Sequence, residues 1–425
     1  MLLIERGARD ADISEAEARE LVRAAVSRAF PTGKVAALPP DGTRAHSRSG
    51  TALGATAAAL GERLALVLPA LGTHEPMTAA EIARLYPDAP AARFAAHDWR
   101  NGVVELGRLE GAFVERVSDG ALRYDWPAQA NRLLVEGGFS GIVSIGQVVP
   151  HEVAGMANHA KNLWVGAGGK EAIDKSHFLG AAYGMERMMG RADTPVRALF
   201  DEALARFGSK LPPVLWIQTV VGARADGSLA LRGLYASTDR ECFDKAAALS
   251  QAVNLDLLDA PLRKVVCYLD PEEFRTTWLG NKAVYRTRMA IADSGELLIL
   301  APGVRRFGED LGIDALIRKY GYRSSGEVRA LVEREADLAG ALSAAAHLIH
   351  GSSEGRFKIT YAAGGLSRDE VQGVGYAWAD YAETAARYDP AKLAAGRNIL
   401  PDGEEVFFVP NPALGLWATK ARFGA

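Results

Sequence analysis

Short unbroken apolar runs alternate along this chain with longer stretches whose apolar residues recur at helical spacing. KVAAL (Lys34–Leu38), RLALVLPAL (Arg63–Leu71), GIVSIGQVV (Gly141–Val149), VLWIQTVV (Val214–Val221), VVCYL (Val265–Leu269), ELLILA (Glu296–Ala301), Phe357–Tyr361 and Glu405–Val409 read as buried strands. Helical spacing covers Ile13–Phe30, with Ser14 capping ahead of Glu15 and Glu17, and Thr51–Leu60. It continues at Pro127–Gly137, from near Lys170, over Asp239–Val253, from about Asn281, after Phe307, over Ser325–His350 and over Ser367–Ala386. Thr78-Ala-Ala-Glu81 is a capping box that starts a helix. Val103–Leu109 and Phe113–Val117 read as paired strands, and Asp226-Gly227 marks a hairpin. This alternation predicts an α/β protein: two domains with largely parallel sheets flanked by helices. The expected division is 1–260, carrying the chemistry, and 261–425, with the last ~30 residues able to pack back on the first domain.

In such sheets ligands bind beyond the carboxyl ends of the strands. Asp41 and Arg44, His74, and His151 each follow the end of an expected strand. Three separate stretches thus deliver polar chemistry to one edge. His74 and His151 suit general acid/base work, because imidazole titrates near neutrality, and two histidines on opposite sides of one carbon are what a racemase needs. Each could also be a histidine that satisfies loop backbone. Asp41 and Arg44 either pair in a surface turn or present a guanidinium to a carboxylate.

The densest stretch is Gly146–Gly180, which holds three of the chain's eight His: His151, His159 and His177. Lys161, in a glycine-flanked loop beside Leu163 and Trp164, is either solvated or a desolvated nucleophile with a lowered pKa. Gly168 and Gly169 precede a helix start whose N–H groups can cradle a phosphate, although the pattern is neither GxGxxG nor a P-loop. His177, alone on a helix, has no HxxxH or HExxH companion, so a three-ligand zinc site is not indicated. A metal held mostly by an organic cofactor would fit a single protein ligand. Lys282, Tyr285 and Arg286 share a helical face, with Arg288 beside them, suited to an anionic substrate or to solvent.

Composition narrows the class. With 425 residues, 48% hydrophobic and 24% charged, the chain is an ordinary globular protein. A net charge of −3 argues against nucleic-acid or anionic-membrane partners. Two cysteines, Cys242 and Cys267, make no CxxC and suggest a reducing cytoplasm. No run approaches the ~20 apolar residues of a membrane span, and the acidic N-terminal stretch is not expected to be a signal peptide.

At DGTR (Asp41–Arg44), ALGTHEPMTAAE (Ala70–Glu81), HD (His97–Asp98), and PHEVAGMANHAKN with the helix to His177, the sequence resembles the lactate racemase family, whose enzymes carry a nickel-pincer nucleotide. The resemblance implies two α/β domains with the cofactor and active site in the interdomain cleft. It implies that Lys161 tethers the cofactor, His177 ligates nickel, His74 and His151 are the paired acid/base groups, and Asp41 and Arg44 help hold cofactor and substrate. It also implies transient dependence on cofactor-making enzymes. The stretch TWLGNKAVYRTRMA departs from the lactate enzymes, and its donors, with His46, suit a larger 2-hydroxy acid such as a sugar acid. The expected activity is racemisation or epimerisation at C2. The competing readings are a nicotinamide-dependent 2-hydroxyacid oxidoreductase, for which no GxGxxG is present, and a non-catalytic sugar-acid-binding homologue.

Overall fold

The computed structural model describes residues 2–224, 227–413 and 415–424. The expected turn residue Asp226 lies outside them, but the strands on either side, Val214–Ala223 and Leu229–Ser237, pair antiparallel as expected. The chain forms two compact units, Met1–Leu179 with Gly190–Asn254, and Gly180–Met189 with Leu255–Ala425. The architecture is mixed α/β with mostly parallel sheets flanked by helices, as the alternating pattern predicts. Among the described residues no helix is long and apolar enough to cross a membrane.

The first unit is built on a six-stranded sheet. Its order is Leu2–Gly7, Leu229–Ser237, Val214–Ala223, Gly141–Gln147, Val35–Leu38, Leu64–Val67. The last four run parallel, and the first two close one edge antiparallel. Gly141–Gln147 is buried at every position, as a strand covered on both faces must be. The chain adds Leu64–Val67 on one side of Val35–Leu38 and then returns to the other side as Gly141–Gln147. This is the topological reversal beside which α/β sheets open a crevice. Helices Glu15–Ala29 and Ser49–Leu60 contribute Val22, Val26, Leu53 and Ala55 to one core with Val143, Ile145, Leu215 and Ile217.

The second unit carries its own six-stranded sheet, in the order Ala377–Trp378, Lys358–Ala363, Ile291–Ala301, Leu262–Tyr268, Glu405–Val409, Gly396–Ile399. Only the last strand runs antiparallel. Val266, Leu298, Leu300, Ala362 and Phe408 fill one face.

Several expected elements differ, each for a local reason. Phe113–Val117 belongs to a helix, Gly111–Val117, which begins where Asp125 accepts the Gly111 N–H at 2.8 Å. The partner of Val103–Leu109 is Trp126–Asn131, which overlaps the start of the expected helix Pro127–Gly137. There Trp126, Ala128 and Ala130 are fully buried at period two, and the helix begins only after Asn131 caps it. Ser325–His350 is three helices, Ser325–Arg334, Ala336–Ala339 and Leu342–His350, interrupted at Glu335 and at Gly340-Ala341. Ser367–Ala386 is two, separated by Gly375 at φ 92° and the edge strand Ala377–Trp378. Strands Leu2–Gly7 and Leu416–Thr419 carry no long apolar run, and the apolar pattern does not predict them.

Ile145 sits in the central strand with no exposed surface. Ile145→Ala should lower unfolding stability by about 2–4 kcal/mol, whereas Leu311→Ala should cost under about 0.5 kcal/mol. Leu311 is 84% exposed. Urea unfolding of the two variants checks the contrast.

Candidate active site

Three strands of the first sheet hand their carboxyl ends to the candidate residues. Val35–Leu38 runs through Pro39-Pro40 into Asp41 and a tight helical turn, Gly42–Ser47, that carries Arg44. Leu64–Val67 continues alongside it, with the Leu68 N–H on the Ala37 carbonyl and the Ala70 N–H on the Pro39 carbonyl, before the turn to His74. Gly141–Gln147 continues through Val148, whose N–H reaches the Thr219 carbonyl, to His151.

His74 and Asp41 meet. The Nδ1–H of His74 donates to Oδ2 of Asp41 at 2.6 Å, leaving Nε2 as the basic nitrogen of the neutral ring. Asp41 is buried, which pushes its carboxyl up, but His74, Thr43 and Arg44 outweigh burial and hold it below the usual range. Asp41 therefore pairs with His74 in a hydrogen bond, and Arg44 acts on the carboxylate through its charge.

His151 has the opposite tautomer. Its Nδ1 accepts the Val153 N–H at 3.1 Å, so the proton of the neutral ring sits on Nε2. Burial, and the charges of Lys161, Arg44 and His177, hold its pKa well below the ordinary histidine value, against the opposing pull of Glu152. His177 lies on helix Lys170–Tyr183, as expected. Its Nδ1–H donates to the Ile173 carbonyl at 2.7 Å, which leaves the lone pair on Nε2. Burial and then Lys161 lower its pKa to about 4.

Lys161 begins a π-helical turn, Asn162–Gly166, and is not in an open loop. π turns recur at functional sites. The two non-glycine residues Asn158 and His159 just before it both have positive φ, 71° and 55°, a conformation costing about 1 kcal/mol or more each. Burial first, then Arg44, lowers the Lys161 amine to about 8, with Glu152 and Asp41 pulling the other way. His151, Lys161, His177, Arg44, Asp41 and Glu152 thus feel one another's charge within the first unit, and His74 joins them through Asp41.

The supporting shell is apolar and aromatic. Trp126 Nε1–H donates to the Ala172 carbonyl at 2.9 Å and so pins the helix of His177. Trp164, edge-on to Trp126, donates to the Phe200 carbonyl at 3.0 Å and pins the π turn. His97, buried and neutral, donates from Nε2 to the Gly168 carbonyl at 2.9 Å while its Nδ1 accepts from Asn131. Gly168 and Gly169 have a packing reason: a Cβ would stand 1.9 Å from the Trp164 carbonyl oxygen in the first case and 2.3 Å from Gln129 Oε1 in the second. The Lys170 and Ala172 N–H groups already face the Trp99 carbonyl and Gln129.

Lys282, Tyr285 and Arg286 belong to the second unit, on helix Lys282–Thr287. Tyr285 and Arg286 are buried, and Arg286 Nη1 donates to the Gly415 carbonyl at 3.1 Å. Lys282 Nζ lies 3.8 Å from Glu273 and over the Phe274 ring. Neighbouring Arg288, also buried, bonds Glu186 and the Ser352 carbonyl. His46 is exposed.

Sequence reading missed Glu152, although it adjoins His151, and the Asp41–His74 pair, whose members stand 33 positions apart. Among the described residues no group of three His, Cys, Asp or Glu side chains is placed to hold a metal. Any ion here would need donors from elsewhere besides His177.

The fold and this edge define a two-unit α/β protein with a histidine–lysine cluster at the sheet's carboxyl ends. Two solved structures share that fold. A Thermotoga maritima protein, solved by a structural genomics consortium, is 24% identical, with 98% of this chain and 100% of that chain covered at TM-score 0.82. The lactate racemase apoprotein from Thermoanaerobacterium thermosaccharolyticum is 15% identical, with 97% and 94% covered at TM-score 0.70. No family profile and no curated protein matches the sequence.

Because its amine gives up the proton as pH rises through about 8, Lys161 should react with amine reagents half-maximally near that pH, where an ordinary lysine would require about 10.5. Mass-spectrometric labelling profiles between pH 6 and 11 check this, and a Lys161 midpoint matching that of exposed lysines would refute it.

Proposed function

We propose that this protein is a racemase or epimerase of a 2-hydroxy acid that uses a nickel-pincer nucleotide attached to Lys161. The observation supporting it most directly is that Lys161, His177 and His151 act on one another's charge within one unit, with His74 linked through Asp41. The fold shared with the lactate racemase apoprotein supports it as well.

The residues present fit such a cofactor. The Lys161 amine, lowered to about 8, is partly neutral at physiological pH, as a covalent tether requires. His177 is neutral there, and its Nδ1–H bond to a backbone carbonyl orients Nε2 as a ligand. One protein ligand suffices where the organic part of the cofactor brings the remaining donors. When bound, the cofactor would accept the C2 hydrogen of the substrate as hydride and return it.

The chain's own residues handle the proton and the charge. His74 Nε2 takes the proton of the C2 hydroxyl, and Asp41 stabilises the imidazolium that forms. His151 presents Nε2–H to the developing carbonyl oxygen from a second strand end. For the opposite enantiomer the two histidines exchange roles, which requires His151 to give up the bond from the Val153 N–H and carry its proton on Nδ1. Arg44, half-buried, attracts the substrate carboxylate. The substrate class expected from the sequence is a larger 2-hydroxy acid such as a sugar acid. Lys282, Tyr285 and Arg286 have packing or charge partners within the second unit, and Arg44 is the residue assigned here to the carboxylate common to all 2-hydroxy acids.

Protein co-produced with cofactor-making enzymes should carry nickel and a nucleotide adduct on Lys161. It should invert a 2-hydroxy or sugar acid in D₂O while keeping most of the C2 hydrogen. Unmodified Lys161, or C2 fully exchanged to deuterium, would defeat the reading. His74→Ala and His151→Ala should each lower kcat about 10²–10⁴-fold. Asp41→Asn should lower kcat with little change in KM, because it frees the His74 ring without removing a substrate contact.

A further inference from the structure

Helix Pro195–Phe207 buries a guanidinium that plays no part in the chemistry above. Arg197 has no exposed surface. Its Nη2 donates to the carbonyls of Met156 at 2.8 Å and Asn158 at 3.2 Å, and its plane lies 4.1 Å over the Phe243 ring. Among the described residues Nε and Nη1 have no hydrogen-bond partner. The nearby Asp201 carboxylate bonds Arg240. A buried cation with two unused donor nitrogens is a costly way to fill space, and Met or Leu would fill it more favourably. What distinguishes Arg197 is the segment it holds.

That segment leads into Lys161. The Ala154 carbonyl accepts from the Thr194 hydroxyl at 3.2 Å, and the Gly155 carbonyl accepts from the Gly190 N–H at 2.9 Å. Arg197 takes the next two carbonyls in reach, Met156 and Asn158. Asn158 and His159, both at positive φ, occupy the point where an unclamped chain would relax. His159 is braced on the Trp216 ring at 4.3 Å, and on the far side of Lys161 the Asn162 amide donates to the Ile145 carbonyl at 3.0 Å.

We propose that Arg197 is a positioning residue for Lys161: by gripping the Met156 and Asn158 carbonyls it makes the left-handed Asn158–His159 turn the resting conformation and aims the amine at His151, His177 and Arg44. The charge of Arg197 also helps to lower the Lys161 amine. The proposal rests on Lys161 being the reactive amine of the site, not on what becomes attached to it.

The test uses the full chain without cofactor, labelled at pH 8 with trinitrobenzenesulfonate. Mass spectrometry reads Lys161 against Lys392, whose side chain is 82% exposed. At that pH a displaced lysine returns to the ordinary range and is almost wholly protonated, so Arg197→Met should lower the Lys161:Lys392 ratio at least about fivefold. Arg197→Lys, which reaches one carbonyl at a time, should give an intermediate ratio. Adding Asn158→Gly to either variant should restore much of the loss, because glycine adopts positive φ without side-chain strain. An Arg197 that merely fills the core would lower the melting temperature and leave the ratio unchanged. That result, or a fall that Asn158→Gly does not restore, overturns the proposal. If Arg197→Met does not fold, the Arg197→Lys pair decides it by the same two criteria. Because neither nickel nor nucleotide takes part, a chain that shows this pattern but never acquires a nucleotide would keep the role of Arg197 and lose the cofactor reading.

Discussion

Four groups capable of positive charge (Arg44, His151, Lys161 and His177) act on one another in the first unit, and its fold limits how much of that charge is expressed. Burial does this for the two histidines, whose pKa values fall below the physiological range. It does so in part for the lysine, at about 8. Asp41 and Glu152 supply the counter-charge for the remainder. Desolvating a cation is expensive unless it is neutralised or paired, and here both remedies are used within a few side chains. The same arrangement yields the reactive forms: an amine that is partly neutral, a neutral ligand imidazole, and two imidazoles with opposite tautomers.

The scaffold makes that arrangement reproducible. Parallel strands ending side by side bring Asp41, His74 and His151 together although they are far apart in sequence. The resting tautomers are set by the Ile173 carbonyl, which can only accept, and by the Val153 N–H, which can only donate. Two indole N–H bonds to helix carbonyls tie the lysine turn and the histidine helix to the same aromatic cluster.

How far the sequence reveals the fold depends on the strength of its local signals. Unbroken apolar runs such as GIVSIGQVV, and the Thr78–Glu81 capping box, are local, and both form as read. The helix of His177 begins at Lys170 because glycines precede it. Trp126–Asn131 reads wrongly as helix because alanine and glutamine suit one, and only burial at alternate positions reveals a strand. The breaks inside Ser325–His350 fall at Glu335 and at Gly340-Ala341, where a single glycine is too weak a signal to end a helix on sequence alone. Within the site, the histidines and the lysine are visible by type and by position after strands. The Asp41–His74 bond and the Arg197 clamp are not, because each joins residues with no periodic relation in sequence. The only trace of the clamp is a charged residue among the apolar positions Val196, Leu199 and Phe200.

The turn Asn162–Gly166 has a further consequence. A π turn accommodates one residue more than an α turn does, and here the Ala167 N–H closes it on the Asn162 carbonyl at 3.0 Å. The helix of His177 starts afresh at Lys170, after the non-helical residues 167–169, so the surplus residue is absorbed before that helix begins. What the irregular turn sets is therefore a length: tightened to a regular turn, it would leave the connection between the amine and the imidazole one residue shorter.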